Sequence, residues 1–352
     1  MTVPSFKIGR FEIGPEHPPF IVAEMSGNHN QSLDRALGIV DAAAKAGVQG
    51  LKIQTYTADT MTLDINRDEF RIDDPKSLWK GKSLYQLYQE AHTPWEWHEA
   101  IFQRCREHGL VGFSTPFDFS AVDFLENLDS PCYKIASFEN IDIPLIKKVA
   151  ATGKPVIIST GMASIAELDD AVKAIHSEGN ERIVLLKCTS SYPATPENSH
   201  ILTIPHMRDL FGVQVGLSDH TLGTGTSVAA VALGAIFVEK HFTLNRAEGG
   251  VDSAFSLEPT EMKALVEETR RAWQSLGEIF YGPTENEMAS LKHRRSLYFV
   301  QDMKAGDIIT AQNMRSIRPG LGLPPKYCEI LLGKKVTRAI KKGTPVGWDM
   351  IE

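Results

Sequence analysis

Two apolar runs in this chain end in residues that could do chemistry. Residues 213–217 close on Ser218-Asp219-His220, and residues 235–238 close on Glu239-Lys240-His241. Gly223 and Gly225 lie between them and permit a tight backbone path. The uncharged, Ala/Val-rich stretch over 227–234 then reads as a buried helix. A strand, a crossover helix and a second parallel strand bring both C-terminal ends side by side. His220 and His241 are therefore expected to face one another across a pocket, a pair suited to a divalent metal. Two histidines at strand ends can also be simple hydrogen-bonding groups. Matching polar ends on the other strands favour a site.

Those other strands form a regular series. Apolar runs that finish in polar residues cover 20–26, 50–56, 110–115, 132–137, 155–160, 183–190, 213–219 and 235–243. Helical patterns over 33–46, 95–108, 143–152, 165–177 and 227–234 separate most of them. Alternation of this kind over about 270 residues predicts an α/β fold, a (β/α)8 barrel. An open doubly wound sheet would need a glycine-rich phosphate loop after its first strand, and Ala23-Glu-Met-Ser-Gly-Asn-His is not one. Ahead of the barrel, Phe6-Lys-Ile-Gly-Arg-Phe-Glu-Ile alternates about Gly9-Arg10 and predicts a small hairpin.

A weak repeat supports the barrel. Leu51-Lys52-Ile-Gln-Thr, Tyr133-Lys134-Ile-Ala-Ser, Leu186-Lys187-Cys-Thr-Ser and Glu239-Lys240-His-Phe-Thr each place Ser or Thr three residues after Lys. They fall on the even-numbered barrel strands. Barrel strands are covered on both faces, so four lysines in register predict an anion site at the mouth. Lys52 and Lys134 supply point charges, and Thr115, Ser137, Ser159 and Ser218 supply donors, for phosphate and carboxylate. His220 and His241, with Glu24 or Asp252 close by, offer a metal with open positions. Such a pocket suits carbon–carbon bond formation from an enol phosphate. No Ser–His–Asp motif, Walker loop or HExxH is present.

Composition limits the partners. A net charge of −7 with no basic block argues against nucleic acid. The first 19 residues hold no apolar signal core, and the longest apolar stretch, 228–238, is too short for a bilayer, so a cytoplasmic protein with no membrane association is expected. Cys105, Cys132, Cys188 and Cys328 form no CxxC pair and read as buried or idle thiols. Residues 59–94 make a long excursion after the second strand, of the kind that carries specificity, with Leu84, Tyr85, Leu87 and Tyr88 at helical spacing. The barrel pattern stops near 282. Met303-Lys-Ala-Gly306 and Ile340-Lys-Lys-Gly343 then match, a duplicated turn in a small β-rich domain. The expected division is 1–281 for the barrel with its hairpin, 282–294 for a linker and 295–352 for the small domain.

Several ordered motifs together resemble the sialic acid synthase family. They are Ser114-Thr-Pro-Phe-Asp118, Lys134-Ile-Ala-Ser137, Ser159-Thr-Gly-Met162, Ser191-Tyr-Pro193, Gly216-Leu-Ser-Asp-His220, Glu239-Lys-His-Phe-Thr243 and the loop at Arg318-Pro-Gly. The resemblance spans essentially the whole chain. It implies a TIM barrel followed by an antifreeze-like (SAF) domain, in a homodimer where each SAF domain reaches over the partner's barrel. It implies condensation of phosphoenolpyruvate with an N-acetylated amino sugar, release of phosphate, and a divalent cofactor, Mn2+ or Mg2+. On that resemblance Lys52, Thr115, Lys134, Ser137, Ser159, Ser190 and Ser218 hold phosphoenolpyruvate. His220 and His241 ligate the metal and, with Glu24, carry catalysis. Gln54, Glu139, Tyr192 and Asp252 face the sugar, joined by Arg318 from the other subunit.

The stretch from Trp79 to Trp97 resembles the pseudaminic acid branch of that family. So does Leu186-Lys-Cys-Thr-Ser-Ser-Tyr192, where Lys187 and Ser190 replace the His and Asn of the sialate branch; Gly250-Val-Asp252 likewise departs from that branch's Gly-Pro-Asp. The implied substrate is 2,4-diacetamido-2,4,6-trideoxy-L-altrose, whose deoxy C6 would suit an apolar wall supplied by the long loop. N-acetylneuraminate or legionaminate synthesis is the alternative within the family. Outside it stand a Schiff-base aldolase using Lys134 or Lys187 and a non-catalytic polysaccharide-assembly protein.

Overall fold

Eight parallel strands close into a barrel, each beside the next in sequence and the last beside the first. They are β3 (Phe20–Glu24), β4 (Gly50–Thr55), β5 (Val111–Pro116), β6 (Tyr133–Ile135), β7 (Val156–Ser159), β8 (Ile183–Cys188), β9 (Gln214–Asp219) and β10 (Phe237–His241). Each lies within an expected run except β5, which continues one residue past it to Pro116. The structure, a computed structural model, describes residues 3–75 and 77–352. Met1 and Thr2, at the head of the expected barrel domain, and Lys76, in the 59–94 excursion, lie outside the described residues. The chain divides into two units, Met1–Gly277 and Glu278–Glu352.

Alternation along the strands separates two apolar layers. Phe20, Val22, Val111, Phe113, Ile157, Val184, Leu186 and Phe237 fill the barrel interior. Their neighbours Ile21, Leu51, Ile53, Tyr133, Ile135, Ile158, Leu185, Val215, Leu217 and Val238 pack outward under the helices. The predicted hairpin, β1 (Phe6–Ile8) and β2 (Phe11–Ile13), adds Ile8 and Ile13 to the interior cluster. Gly9 makes its turn at φ +57°, a left-handed angle that glycine adopts without strain.

Helices follow the strands in turn: α1 (Leu33–Ala46), then α2 (Ala58–Met61), α3 (Leu84–Ala91) and α4 (His98–Glu107) after β4, and α5 (Phe119–Asn127) after β5. α6 (Ile143–Ala150), α7 (Ile165–Ser177), α8 (Thr203–Phe211), α9 (Gly225–Ala232) and α10 (Pro259–Leu276) complete the ring. Local chemistry sets their starts. Ser32, Asp118, Asp142 and Ser164 each accept a backbone N–H of the first turn, at α1, α5, α6 and α7. The α5, α8 and α10 helices were not among the expected patterns. The pattern over 95–108 divides into a single 3-10 turn, Trp95–Trp97, and α4. Among the described residues no helix is long and apolar enough to cross a membrane.

The second unit is built around the antiparallel pair β11 (Ser296–Phe299) and β12 (Met314–Ile317). The two matching segments meet directly through the bridge Met303↔Ile340. Gly306 and Gly343 take φ +87° and +90°, so both copies turn through the left-handed region. Leu297, Phe299, Met303, Ile309, Met314, Leu331, Val336, Ile340 and Val346 form its own core.

Candidate active site

Interior-facing positions at the C-terminal strand ends are polar, and they enclose a cavity of about 490 Å3. Every expected site residue lines it except Thr115, Ser190 and Arg318. Thr115 lies behind Lys52, whose Nζ donates to its Oγ1 over 3.3 Å. Ser190 is set back beside Gly161; a Cβ on Gly161 would meet Ser190 Oγ at 2.1 Å and Ser137 Oγ at 2.6 Å, so only glycine leaves room for both hydroxyls. Arg318 is exposed on the second unit.

The floor is a buried cluster of two lysines and two carboxylates. Lys52 Nζ lies 2.7 Å from Glu24 Oε2 and 3.5 Å from Glu239 Oε1. Lys134 Nζ lies 3.2 Å from the same Glu239 oxygen, and Ser218 Oγ donates to it over 3.4 Å. Burial pushes the Glu24 carboxyl above its ordinary range; Lys52 opposes this and Glu239 adds to it. Burial acts on Glu239 in the same sense, but Lys134 and Lys52 outweigh it and hold Glu239 below the ordinary range. Glu239 is thus the charged partner of both lysines, and Glu24 is the carboxyl placed to take up or release a proton. Burial lowers Lys134. Ser159 Oγ is buried with no hydrogen-bond partner, a free donor for an anion.

Lys187 and Lys240 do not join this floor, which corrects the expected four-lysine array. In β8 and β10 the inward positions are Leu186 and Cys188, and Phe237, Glu239 and His241. Lys187 turns aside to the Cys188 carbonyl, 2.9 Å away. Lys240 is buried under the helix layer against Asp219. The Lys–x–x–Ser/Thr repeat is therefore out of step with the alternation in two of its four strands.

His220 and His241 do face each other, with ring centroids 5.3 Å apart, as parallel pairing of β9 with β10 requires. His220 Nδ1 donates to the Thr189 carbonyl over 2.9 Å, so the lone pair of its neutral form sits on Nε2. Burial opposes charge on His220, but the negative charge of Cys188 as its thiolate, itself lowered to about 6, raises His220 above the ordinary range. His241 Nδ1 is buried without a hydrogen-bond partner, 3.8 Å from Asp252 Oδ2. Burial, then the charges of His220 and the lysines, hold it well below the ordinary range, as the neutral ligating form. These two nitrogens fit a divalent cation. Among the described residues no group of three or more His, Cys, Asp or Glu is arranged to hold one, so further ligands would be oxygens of water or substrate.

The remaining expected residues surround this pair. The Tyr192 ring lies tilted against His220, centroids 4.5 Å apart, and Asp252 accepts from Ser26. Gln54 Nε2 donates to Glu24 Oε1 over 3.0 Å. Burial lifts Glu139 to about 7, and its Oε2 has no hydrogen-bond partner. Sequence reasoning missed Glu239, Ser26 and Cys188 as site residues; Cys188, read as a buried or idle thiol, is buried but lines the cavity. Counting by twos back from His241 would have found Glu239. From the 59–94 excursion, Leu84, Leu87 and Tyr88 line the cavity, while Tyr85 turns away to Asp59.

The chain matches known proteins along nearly its whole length. The NeuB family pattern matches residues 39–281, and the SAF domain pattern matches 294–352. The chain is 42% identical to pseudaminic acid synthase of Helicobacter pylori over 95% of its own length and 98% of that protein. It is also 42% identical to pseudaminic acid synthase of Campylobacter jejuni, over 96% and 97%. The crystal structure of N-acetylneuraminic acid (sialic acid) synthetase from Leptospira borgpetersenii, in complex with citrate, superposes with a TM-score of 0.74 at 29% identity, covering 83% of this chain and 96% of that one. With the family pattern spanning most of the barrel and such relatives matching from end to end, this chain belongs to the NeuB family and carries a C-terminal SAF domain.

Proposed function

We propose that the chain condenses phosphoenolpyruvate with 2,4-diacetamido-2,4,6-trideoxy-L-altrose to give pseudaminic acid and inorganic phosphate. One observation carries this: Lys52 and Lys134 converge on one buried floor beside the facing pair His220 and His241, in a chain so similar to pseudaminic acid synthases.

Lys52 and Lys134, with the hydroxyls of Ser137, Ser159 and Ser218, hold the phosphate and carboxylate of phosphoenolpyruvate; Thr115 acts through Lys52, whose ammonium it accepts, and Ser190 stands beside Gly161 outside the lining. Glu239 then shares its two ammonium partners with the arriving anion. Gln54, Glu139, Tyr192 and Asp252 orient the sugar so that its aldehyde carbon meets the enol methylene. His220 and His241 would hold Mn2+ or Mg2+, which would supply Lewis-acid polarisation of the aldehyde. Bond formation leaves positive charge at the enol carbon that bears the phosphate, and the buried carboxylates stabilise it. Glu24 accepts the proton of the water that adds there and passes it to the alkoxide left by the aldehyde; the C–O bond to phosphate then breaks between the lysines, the hydroxyl proton of the tetrahedral adduct leaving with the phosphate to give the ketone.

The working form in this proposal is a cytoplasmic homodimer, with a barrel over 1–281, a linker over 282–294 and a SAF domain over 295–352. Arg318 of the partner subunit contacts the N-acetyl side of the sugar. The test is phosphate release from phosphoenolpyruvate with Mn2+, comparing N-acetylmannosamine, the legionaminate precursor and the trideoxy-altrose precursor. Release with the last alone is expected. Release with N-acetylmannosamine would overturn the substrate, and release with none would overturn the reaction.

A further inference from the structure

Part of the cavity lining is apolar. Met61, Ile72, Leu84, Leu87 and Phe117 make it up, all from the excursion after β4 or the end of β5. Tyr56 ties this part together, its ring 5.8 Å from Tyr88 and 5.2 Å from Phe117, both edge-on. The lysines, carboxylates and histidines instead come from the strand ends themselves.

The wall is held in place by bonds of its own. Ile72 N donates to the Lys82 carbonyl over 3.0 Å, and the Ile72 carbonyl accepts from Gly81 N over 2.8 Å. Arg71 and Ser83 form an antiparallel bridge next to that pair. Trp79 Nε1 donates over 2.9 Å to the Val251 carbonyl, in the loop that follows β10, and ties the hairpin across the mouth. Ser83 and Gln86 cap the helix that presents Leu84 and Leu87. Side chains fixed in this way bind without much loss of freedom. A methyl group placed against them is desolvated at a gain; a hydroxyl placed there gives up its water for no partner. The hairpin also brings Asp74 and Ser77 to the cavity, so its apolar residues, not the hairpin as a whole, make this surface.

We propose that Met61, Ile72 and Leu84 are specificity-determining residues: they receive the methyl carbon of a 6-deoxy sugar and select against a sugar hydroxylated at that carbon. The inference rests on the condensation proposed above. Full-length wild type, Met61→Gln, Ile72→Ser and Leu78→Ser are compared by kcat/KM for the 6-deoxy sugar and for its 6-hydroxy counterpart, at saturating phosphoenolpyruvate. Leu78 sits on the same hairpin but is half exposed and does not line this cavity. The wild-type preference for the deoxy sugar should fall by about 10-fold or more in Met61→Gln and Ile72→Ser. The KM of phosphoenolpyruvate should stay unchanged, and Leu78→Ser should keep the wild-type preference. Met61 lies on a different element from Ile72, so one variant still reports if the other fails to fold. Unchanged preference in an active Met61 or Ile72 variant, or an equal loss in Leu78→Ser, would overturn the subsite. Failure of wild type to use the deoxy sugar at all would overturn the proposed function, and the subsite with it.

Discussion

Lys240 Nζ lies 2.8 Å from Asp219 Oδ2, and both side chains are 1% exposed. The pair joins β9 to β10 at the residues just before His220 and His241. It is fully bonded: Asp219 also accepts from Ser227 Oγ (2.6 Å), Thr221 N (2.8 Å) and Thr221 Oγ1 (2.7 Å), and Lys240 also donates to the Thr221 carbonyl (2.6 Å). Asp219→Asn and Lys240→Met each strand a buried charge. Each should lower stability by about 3–5 kcal/mol, measured by urea unfolding. A loss below about 1 kcal/mol would mean that the pair is incidental.

His220→Ala and His241→Ala should weaken Mn2+ binding by about 100-fold or more, because the donor set has only two protein nitrogens. Electron paramagnetic resonance of free Mn2+ measures this independently of turnover. Wild-type affinity in either variant would place the metal elsewhere.

Glu139 predicts a pH effect. Burial raises its carboxyl from 4.5 to about 7 in the folded chain. A raised carboxyl favours folding in its neutral form. That contribution is complete below about 4.5 and is lost as pH rises through about 7. Between those values wild type should lose about 3 kcal/mol relative to Glu139→Gln, followed by urea midpoints across the range. Parallel curves for the two proteins would refute the shift.

Glu239 predicts opposite effects on stability and anion affinity. Its carboxylate is shared by Lys52 and Lys134 in the free cavity. Glu239→Gln should destabilise the protein by about 3 kcal/mol, since buried Lys134 loses its carboxylate partner and buried Lys52 keeps only Glu24. It should also bind inorganic phosphate about 10-fold more tightly, because the anion no longer competes with a carboxylate. Calorimetric titration with phosphate checks this, and weaker binding would give Glu239 a different role.

The barrel was readable in the sequence because its strands are covered on both faces. Runs such as Val156–Ser159 and Ile183–Cys188 carry no polar break until they reach the mouth. The facing histidines followed from connectivity alone. The α5 helix was missed because it is short and shows only Ala121, Val122 and Leu125 as its buried face. Lys187 and Lys240 were misplaced because the repeat was aligned on lysine, whereas side-chain direction depends on position along each strand. The form of the excursion after β4 depends on contacts far away in sequence, above all Trp79 with Val251, and no local pattern encodes those.

The alternation within β10 has an evolutionary consequence. Glu239 and His241 look into the cavity, while Lys240 looks into the helix layer. Loss or gain of one residue upstream within this strand would carry Lys240 to the mouth and send both site residues under the helices. The strands therefore behave like a message read in frames of two. Substitution can edit its letters one at a time, but insertions and deletions survive only in the loops, where no frame has to be kept.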